Sequence, residues 1–279
     1  MKILFTGGGT GGHIFPLIAT VREIRRIYPK KDLEFYYLGP KDEFSLILLS
    51  QEDFIIKTIV SGKIRRYFDW QNFVDILFKI PFGVIQSFFL LLAINPDLVF
   101  SKGGSGSVAV TFSAKLLGIP IFLHESDVVP GLSNQMTAKW AKKILISFPK
   151  TEYFDETKTT LTGNPIRKDI LDGSKERAVE IFNLTLSKPI ILIIGGSQGA
   201  ETINDFVLRI LNELLRDYEI IHVTGTQNIK EEIAEAQVVE EKDEDKYYHP
   251  IGFLDEEKIK HAYRGRRPYN FTRRLRFNF

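Results

Sequence analysis

The chain of 279 residues contains no cysteine. This absence excludes disulfide bonds, thiolate catalysis and metal sites with cysteine ligands, and it fits a reducing cytosol. Hydrophobic residues make up 44% of the chain and charged residues 26%, which excludes disordered, collagen-like and coiled-coil proteins. The length predicts two domains, each large enough to bury its own core.

An excess of charge of one sign is also missing. The sequence has 37 basic and 35 acidic residues, a net charge of +2. Six arginines and no acidic residue lie in 264–279, so the remainder carries 31 basic against 35 acidic residues, or −4. The basic surplus belongs to one segment, and no nucleic-acid partner is expected because such a partner requires basic residues spread over a folded surface.

The sequence also lacks a leader and an unbroken membrane-spanning run. Met1 leads within a few residues into glycines, without the apolar segment of a signal peptide. The most apolar stretch, Ile76–Ile94, is interrupted by Lys79 and Pro81, and its longest unbroken run, Phe88–Ile94, is far shorter than the ~20 residues that span a bilayer. Two interpretations remain: a helix buried under a sheet, which is preferred, and a patch on a membrane surface.

Short β-branched or aromatic runs alternate along the chain with longer segments of helical period. Unbroken apolar strands separated by helices predict an α/β fold with parallel sheets covered on both faces. The predicted strands are Lys2–Phe5, Glu34–Leu38, Leu98–Ser101, Ile121–His124, Ile144–Ile146, Ile190–Ile194 and Glu219–Val223. The predicted helices include Ile14–Tyr28, Ser107–Leu117, Leu132–Ala141, Lys175–Phe182, Thr202–Leu215 and Asn228–Ala236.

Three predicted strands run directly into glycine-rich turns that open helices, at residues 7–13, 103–107 and 195–200. The first and third turns each begin a βαβ series, so the sequence predicts two Rossmann-like halves. Turn-forming residues cluster at three possible junctions between the halves. These are Asn164–Pro165, Asp172–Ser174 and Ser187–Pro189.

Glycine turns at helix starts bring backbone N–H groups close to a ligand, and the helix dipole there favours negative charge. One such turn alone is more simply a tight turn. Two of them opening two halves predict a nucleotide or another phosphate ligand between the halves, at the carboxyl ends of the sheets. A nicotinamide oxidoreductase is disfavoured, although Gly7, Gly9 and Gly12 fit G-x-G-x-x-G, because the second strand ends in Gly39–Pro40 and not in the acid that binds ribose.

His13 follows the first glycine run at the start of a helix. The helix dipole would lower the pKa of its imidazole and keep it neutral, so His13 could act as a general base. A capping or packing histidine explains the position equally well. Farther along, Asp243–Asp245 fits the D-x-D pattern of some sugar transferases, but no strand leads into it and a solvated surface loop is expected.

Six motifs occur in the order of one known family. They are Gly8–Pro16, Ala114–Pro120, His124–Glu125, Val129–Asn134, Thr162–Arg167 and Gly195–Ala200. Together they cover about residues 1–263 and resemble the MurG family, the bacterial N-acetylglucosaminyltransferases of glycosyltransferase family 28.

The resemblance implies a GT-B fold, in which two Rossmann-like domains with parallel sheets face a cleft. It implies inverting transfer of N-acetylglucosamine from UDP-GlcNAc to the C4 hydroxyl of lipid I, the undecaprenyl-diphosphate-linked MurNAc-peptide, which gives lipid II for peptidoglycan synthesis. Neither a metal nor a cofactor is implied. The implied location is the cytoplasmic face of the bacterial cell membrane, with the protein bound peripherally.

The family motifs also imply roles for single residues. His13 matches the histidine of the first loop, the candidate for the catalytic base or for acceptor positioning. The implied substrate-binding residues are Thr10, Gly11 and Gly12 near the transferred sugar, Arg167 and Ser197 at the donor diphosphate, and Leu254, whose backbone would receive the uracil.

Asp127 departs from the family pattern. The usual H-E-x-N reads His124–Asp127 here, so a carboxylate replaces an amide that could donate to a ligand. The resemblance implies a substrate-binding role for Asp127, but near a diphosphate that negative charge would be repulsive, which argues against the role.

The resemblance also changes the interpretation of the apolar stretch, because the family docks on the cytoplasmic membrane through apolar and basic surface of its amino-terminal domain. The candidate docking residues are Phe82, Ile85, Phe88 and Phe89, with Lys63, Arg65 and Arg66 nearby.

The family pattern divides the chain into three parts. Residues 1–163 are expected to form an acceptor and membrane-associated domain, and residues 164–263 an incomplete UDP-GlcNAc-binding domain. Residues 264–279 show no strand or helix period where the family has a strand and a glycine-rich donor loop. We expect an out-of-frame basic tail, because permitted codons read one base later can encode that pattern. A non-enzymatic remnant that binds the lipid acceptor or the membrane is therefore the alternative to an active transferase.

Overall fold

The computed structural model divides into two units, Met1–Arg167 and Lys168–Phe279. It describes residues 1–8, 10–29, 32–62, 75–104, 106–149, 153–196, 199–226, 229–230, 233–234 and 245–265. The division falls shortly after the turn formers Asn164–Pro165, and the segment that carries Arg167 belongs to the first unit. Of the predicted tail 264–279, Arg264 and Gly265 belong to the helix Glu256–Gly265, which corrects the predicted boundary, and the remaining residues lie outside the described ones.

The first unit is built on a seven-stranded parallel sheet with the strand order β3-β2-β1-β4-β5-β6-β7. Its strands are β1 (Lys2–Gly8), β2 (Glu34–Pro40), β3 (Ile55–Ile59), β4 (Leu98–Gly104), β5 (Ile121–Glu125), β6 (Lys143–Ile146) and β7 (Thr159–Leu161). The chain builds outward from β1 in one direction and then, from β4, in the other. The carboxyl ends of β1 and β4 form the point of reversal, where open α/β sheets bind their ligands.

Helices cover both faces of this sheet, as the unbroken apolar strands predicted. The helices are α1 (Gly11–Ile27), α2 (Glu43–Ser50), α3 (Ile80–Ile94), α4 (Ser107–Leu116) and α5 (Leu132–Ala138). Alternate residues of β1 enter different cores, since Ile3 and Phe5 pack with α1 whereas Leu4 packs with α3 and α4. Successive side chains of a strand point to opposite faces of the sheet, so β1 contributes to the hydrophobic core on each face.

The apolar stretch forms helix α3, and the preferred prediction of a helix buried under the sheet is wrong. One face is buried at Gly83, Ser87 and Leu91, but the opposite face presents large apolar side chains to the surroundings. The exposed residues are Phe82, Ile85, Phe89 and Leu92 on α3, with Leu77 and Phe78 in the π-helical turn just before it. Phe88 is half-buried, whereas Lys63, Arg65 and Arg66 lie outside the described residues.

The apolar stretch is continuous enough in helical structure to pass a test for a membrane span. In the described part of the chain, the 18 residues Leu77–Ile94 are long and apolar enough by length and composition to cross a membrane, and 22% of that window is buried. The buried face packs on the first unit: the Gln86 side chain accepts from the Val60 N–H (2.8 Å) and the Ser113 hydroxyl donates to the Val84 carbonyl (3.0 Å). These contacts join α3 to α4 and to the residue that follows β3, and they leave the apolar outer face of α3 open.

The second unit contains a three-stranded parallel sheet in the order β10-β9-β8 among its described residues. Its elements are α6 (Lys175–Phe182), β8 (Ile190–Ile194), α7 (Glu201–Arg209), α8 (Leu211–Asp217), β9 (Glu219–Val223), β10 (Tyr248–Ile251) and α9 (Glu256–Gly265). Adjacent residues Ile220 and Ile221 again enter different cores, so both faces of this sheet are covered.

Several elements differ from the predictions. The single helix predicted over Thr202–Leu215 is two helices that meet at Ile210, where the backbone (φ −110°, ψ 9°) leaves the helical conformation. The break keeps Leu208 and Leu211 in one core against β9. Strands β3, β7 and β10 and helices α2 and α9 were not predicted. The predicted helix Asn228–Ala236 falls largely outside the described residues.

Candidate functional site

The first glycine run lies where β1 ends and α1 begins. Gly8 is the last residue of β1, and Thr10 is the extended N-cap residue before Gly11. The backbone N–H groups of Gly11 and Gly12 have no hydrogen-bond partner in the described chain, because the first bonds back to Thr10 come from His13 and the next residue. Unpaired N–H groups and the positive end of the helix dipole together favour a bound anion.

His13 lies in this helix start, with its imidazole half-buried. Its Nδ1 is 3.1 Å from the hydroxyl oxygen of Thr10, and its Nε2 makes no hydrogen bond to a described residue. Burial lowers the pKa of His13 to about 4; the charge of Lys102 also lowers this pKa, whereas the carboxylate of Asp127 raises it. The imidazole is therefore neutral at neutral pH. When Nδ1 donates its proton to Thr10, the Nε2 lone pair can accept one from a substrate.

The second glycine run holds the first loop in place. Gly7 and Gly8 of β1 pair with Gly103 and Gly104 of β4. Gly104 has a φ of 88°, and a Cβ added there would lie 2.3 Å from the carbonyl oxygen of Gly8 and 3.2 Å from Cε1 of His13. Only glycine permits both the backbone conformation and this close approach, so the run is required for the position of the His13 ring.

Lys102 precedes that glycine run, and its side chain is only 3% exposed. Burial lowers the pKa of its ammonium, while the charges of Glu125 and Asp127 oppose this shift. The sequence analysis missed this residue. The available signal was a lysine at the carboxyl end of an apolar strand, immediately before the glycines.

Glu125 organises the loop that follows β5. Its Oε1 accepts from the backbone N–H of Asp127 (2.9 Å), and its Oε2 accepts from Nδ2 of Asn134 (2.8 Å) and from the N–H of Gly131 (3.3 Å). Both carboxylate oxygens thus accept hydrogen bonds that hold the loop in its conformation. The side chain of Asp127, by contrast, is exposed and close enough to His13 to affect its pKa.

His124 has a structural contact. Its Nε2 donates to the carbonyl oxygen of Gly163 (3.1 Å), which attaches the Gly163–Arg167 segment to the end of β5. Burial lowers the pKa of His124 to about 4; the bond to Gly163 raises this pKa and the charge of Lys102 lowers it. His124 is therefore a second neutral imidazole, at the end of β5.

Arg167, the last residue of the first unit, packs on α1. It is buried, and its guanidinium carbon lies 4.2 Å from the centroid of the Phe15 ring, a cation–π contact. Phe15 follows His13 on α1, so the structure brings Arg167 to the helix that carries the first glycine loop. Its role at the donor diphosphate stays a prediction.

The third glycine run opens α7 in the second unit. The N–H of Gly199 donates to the carbonyl of Gly196 (3.2 Å), and a Cβ on Gly199 would lie 2.2 Å from the carbonyl oxygen of Thr224. Ser197, in the same turn, lies outside the described residues. The Leu254 side chain packs in the core of this unit, and the role of its backbone at the uracil stays a prediction.

Metal-ligand clusters were sought throughout the described ranges. No group of three or more histidine, aspartate or glutamate side chains in those ranges could hold a metal ion. Asp243 of the D-x-D pattern lies outside them.

The family comparison matches one family domain in each unit. Residues 3–146 match the glycosyltransferase family 28 N-terminal domain, and residues 190–263 match the family 28 C-terminal domain.

Similar curated proteins carry one name, UDP-N-acetylglucosamine–N-acetylmuramyl-(pentapeptide) pyrophosphoryl-undecaprenol N-acetylglucosamine transferase. The protein from Clostridium botulinum (strain Alaska E43 / Type E3) is 42% identical over 229 residues, which are 82% of this chain and 63% of that protein. The protein from Clostridium perfringens (strain ATCC 13124) is 39% identical over 233 residues, 83% of this chain and 64% of that protein. The chain therefore spans slightly less than two thirds of the length of these relatives.

Solved structures share the fold. The crystal structure of Acinetobacter baumannii MurG superimposes with a TM-score of 0.63 and 23% identity, over 95% of this chain and 71% of that one. The UDP-GlcNAc 2-epimerase of Neisseria meningitidis bound to UDP-GlcNAc gives a TM-score of 0.59 and 15% identity, over 94% and 74% of the two chains. Because the N-terminal family domain alone matches more than half of the sequence, the chain belongs to glycosyltransferase family 28.

Proposed function

We propose that this chain transfers N-acetylglucosamine from UDP-GlcNAc to the C4 hydroxyl of lipid I, with inversion at the anomeric carbon, to give lipid II. The observation that carries the proposal is the neutral His13 imidazole with an available Nε2, held beside the unpaired N–H groups of Gly11 and Gly12 at the carboxyl ends of β1 and β4. Family membership and the name shared by the similar curated proteins support this substrate pair.

The roles of the residues follow from their chemistry. In the transfer, the acceptor hydroxyl loses its proton to Nε2 of His13 as its oxygen attacks the anomeric carbon and UDP leaves. The helix start at Gly11 and Gly12 favours a negatively charged group of donor or acceptor. In the second unit, the turn that contains Ser197 and the backbone at Leu254 are proposed to bind the nucleotide.

A transfer assay with the full chain tests the proposed function. The protein is incubated with labelled UDP-GlcNAc and a lipid I analogue in buffer containing a metal chelator, and labelled lipid product is separated from the free sugar. We expect product that depends on the acceptor, at a rate unaffected by the chelator. Acceptor binding without product would contradict the proposal and favour the non-enzymatic alternative.

We also propose that the exposed face of α3 docks on the cytoplasmic surface of the cell membrane. Phe82, Ile85 and Phe89 are 53%, 54% and 65% exposed and lie on one side of the helix. An apolar helix face that is fixed to a folded unit by its other side can bury its side chains in the headgroup region without crossing the bilayer. This location suits an acceptor that carries an undecaprenyl chain.

Replacement of both Phe82 and Phe89 by Ser is expected to lower binding to vesicles at least about 10-fold, because each buried phenylalanine contributes roughly 1.5–3 kcal/mol. Binding is measured by cosedimentation with vesicles of anionic phospholipid. Phe206→Ser is the matched control, since this phenylalanine is 52% exposed on α7 of the second unit. Equal binding of the double variant and the parent, with unchanged circular dichroism, would reject the docking face.

A further inference from the structure

The Tyr37 hydroxyl is a buried polar group that the proposed transfer does not use. Tyr37 lies on β2, is fully buried and belongs to the core between the sheet and α1. Its hydroxyl donates to the carbonyl oxygen of Gly7, near the end of β1. Burial raises the pKa of this hydroxyl, and the charge of Asp42 raises it further, so the group stays protonated and remains a donor at neutral pH.

This hydrogen bond lies where the regular pairing of β1 ends. The backbone register of β1 with β2 runs only as far as Phe5. On its other side β1 pairs with β4, but the register shifts between Thr6 and Gly7, because Lys102 is an extra residue on β4. A bulge of this kind interrupts the ladder of backbone hydrogen bonds. The Tyr37 hydroxyl therefore ties the end of β1 to β2 at the point where the ladder itself no longer does so.

The glycines around the phenol leave the space that it fills. A side chain at position 39 would lie on the same face of β2 as Tyr37, because side chains alternate along a strand. A Cβ on Gly39 would lie 2.4 Å from the Tyr37 hydroxyl oxygen and 2.9 Å from the carbonyl oxygen of Gly7. A Cβ on Gly8 would lie 3.2 Å from the same hydroxyl. The phenol thus takes the place of side chains that are missing at these glycines, and its hydroxyl is fixed against the end of β1.

The end of β1 leads directly into the loop that carries the candidate base. Gly104 of β4 approaches Gly8 from one side, and Tyr37 of β2 binds Gly7 from the other. We propose that Tyr37 is a positioning residue, which fixes the first glycine loop and through it the His13 imidazole for transfer to the acceptor. This inference rests on the proposed transfer function.

Kinetics of the full chain test the positioning role. Tyr37→Phe removes the hydroxyl but keeps the ring that fills the space. We expect kcat for transfer to the lipid I analogue to fall roughly 10-fold, because a small displacement of a catalytic group costs much of its effect. KM for UDP-GlcNAc should stay within about twofold of that of the parent, since the nucleotide is proposed to bind in the second unit.

Tyr36→Phe is the matched control. The Tyr36 hydroxyl, on the next residue of β2, donates to the Glu34 carboxylate (2.8 Å) in an exposed position. Its removal should therefore change neither kcat nor KM. A kcat of Tyr37→Phe within twofold of that of the parent, or an equal loss of kcat in the two variants, would overturn the proposal.

NMR spectra without substrate separate positioning from packing. The imidazole signals of His13 are assigned by their absence in His13→Gln. In Tyr37→Phe we expect these signals to shift or broaden, whereas the signals of His222, in the second unit, should keep their parental positions. Tyr36→Phe should move neither set. A phenol that only fills the core would lower the urea midpoint without moving the His13 signals, and that result would contradict the proposal.

Two further provisions keep the test decisive. If circular dichroism shows that Tyr37→Phe does not fold, Gly39→Ala replaces it with the same expected results, because the added methyl group displaces the Tyr37 hydroxyl. If the parent shows no transfer, the proposed function fails, while the His13 signals still decide whether Tyr37 positions that imidazole.

Discussion

His13→Gln is expected to lower kcat for transfer to lipid I by roughly 10²–10⁴-fold, the usual contribution of a general base. Glutamine keeps a polar side chain of similar reach but has no group that accepts a proton at neutral pH. The loss corresponds to about 3–5 kcal/mol of transition-state stabilisation. KM for UDP-GlcNAc should change little, because the imidazole acts on the acceptor hydroxyl. Initial rates with a lipid I analogue provide the measurement.

The pH dependence follows from the environment of His13. Burial lowers its pKa to about 4, so the base is unprotonated and competent above that pH and is lost as pH falls through it. The rate should be level between about pH 6 and 8 and should decline toward a midpoint near pH 4. Loss of structure in acid is separated from this effect by circular dichroism at each pH.

Thr10 provides matched controls for the same residue. Thr10→Ser retains the hydroxyl that lies 3.1 Å from Nδ1 of His13 and should keep most of the activity, whereas Thr10→Val removes the hydroxyl and should lower kcat roughly 10-fold.

A His13→Gln variant with a kcat within threefold of that of the parent would exclude His13 as the base. In that case a group other than His13 accepts the proton of the acceptor hydroxyl, and the glycine loop only binds substrate.

Gly104→Ala is expected to destabilise the protein by about 3 kcal/mol or more. The residue has a φ of 88°, and the added Cβ would lie 2.3 Å from the carbonyl oxygen of Gly8. Backbone strain accounts for roughly 1–2 kcal/mol of the loss, and the clash between two strands that cannot separate accounts for the rest. Urea denaturation followed by circular dichroism measures the free energy of unfolding.

Gly118→Ala isolates the contribution of backbone strain. Gly118 also has a positive φ, 70°, but a Cβ there would have no other atom within 4 Å. Its substitution should cost only about 1–2 kcal/mol. If both alanine variants lose the same stability, the close approach of the two glycine runs is not what holds the site together.

Much of this fold could be read from local pattern. Runs such as Ile190–Ile194 are too apolar for an exposed strand, and glycines directly after a strand have few uses other than a tight turn into a helix. Parallel sheets, two units and the glycine loop before His13 all followed from such patterns, and the structure has them. The short strands β3, β7 and β10 were not predicted, because their residues are a mixture of polar and apolar side chains that are partly exposed. These segments are strands only because they pair with a neighbouring strand of the sheet.

The exposed face of α3 could not be chosen from helical periodicity; the docking candidates came from the family resemblance, and of them Phe82, Ile85 and Phe89 are exposed. Its residues are apolar on every side, so no periodicity distinguishes the face that packs from the face that remains open. The choice is made by Gly83, where a Cβ would lie 2.3 Å from the carbonyl oxygen of Val60, and by Ser87 and Leu91 on the same side. Close backbone approach at glycine selects the buried face.

What the sequence determined by itself was the alternation of apolar strands, glycine turns and helices, together with a histidine at the first glycine turn, because each depends on residues adjacent in the chain. The charge balance around that histidine was decided only by the tertiary structure. Lys102 and Asp127 belong to different strand ends, and they share one environment because β4 and β5 pair side by side. Electrostatic interaction depends on distance in space and on burial, and neither is set by separation along the chain.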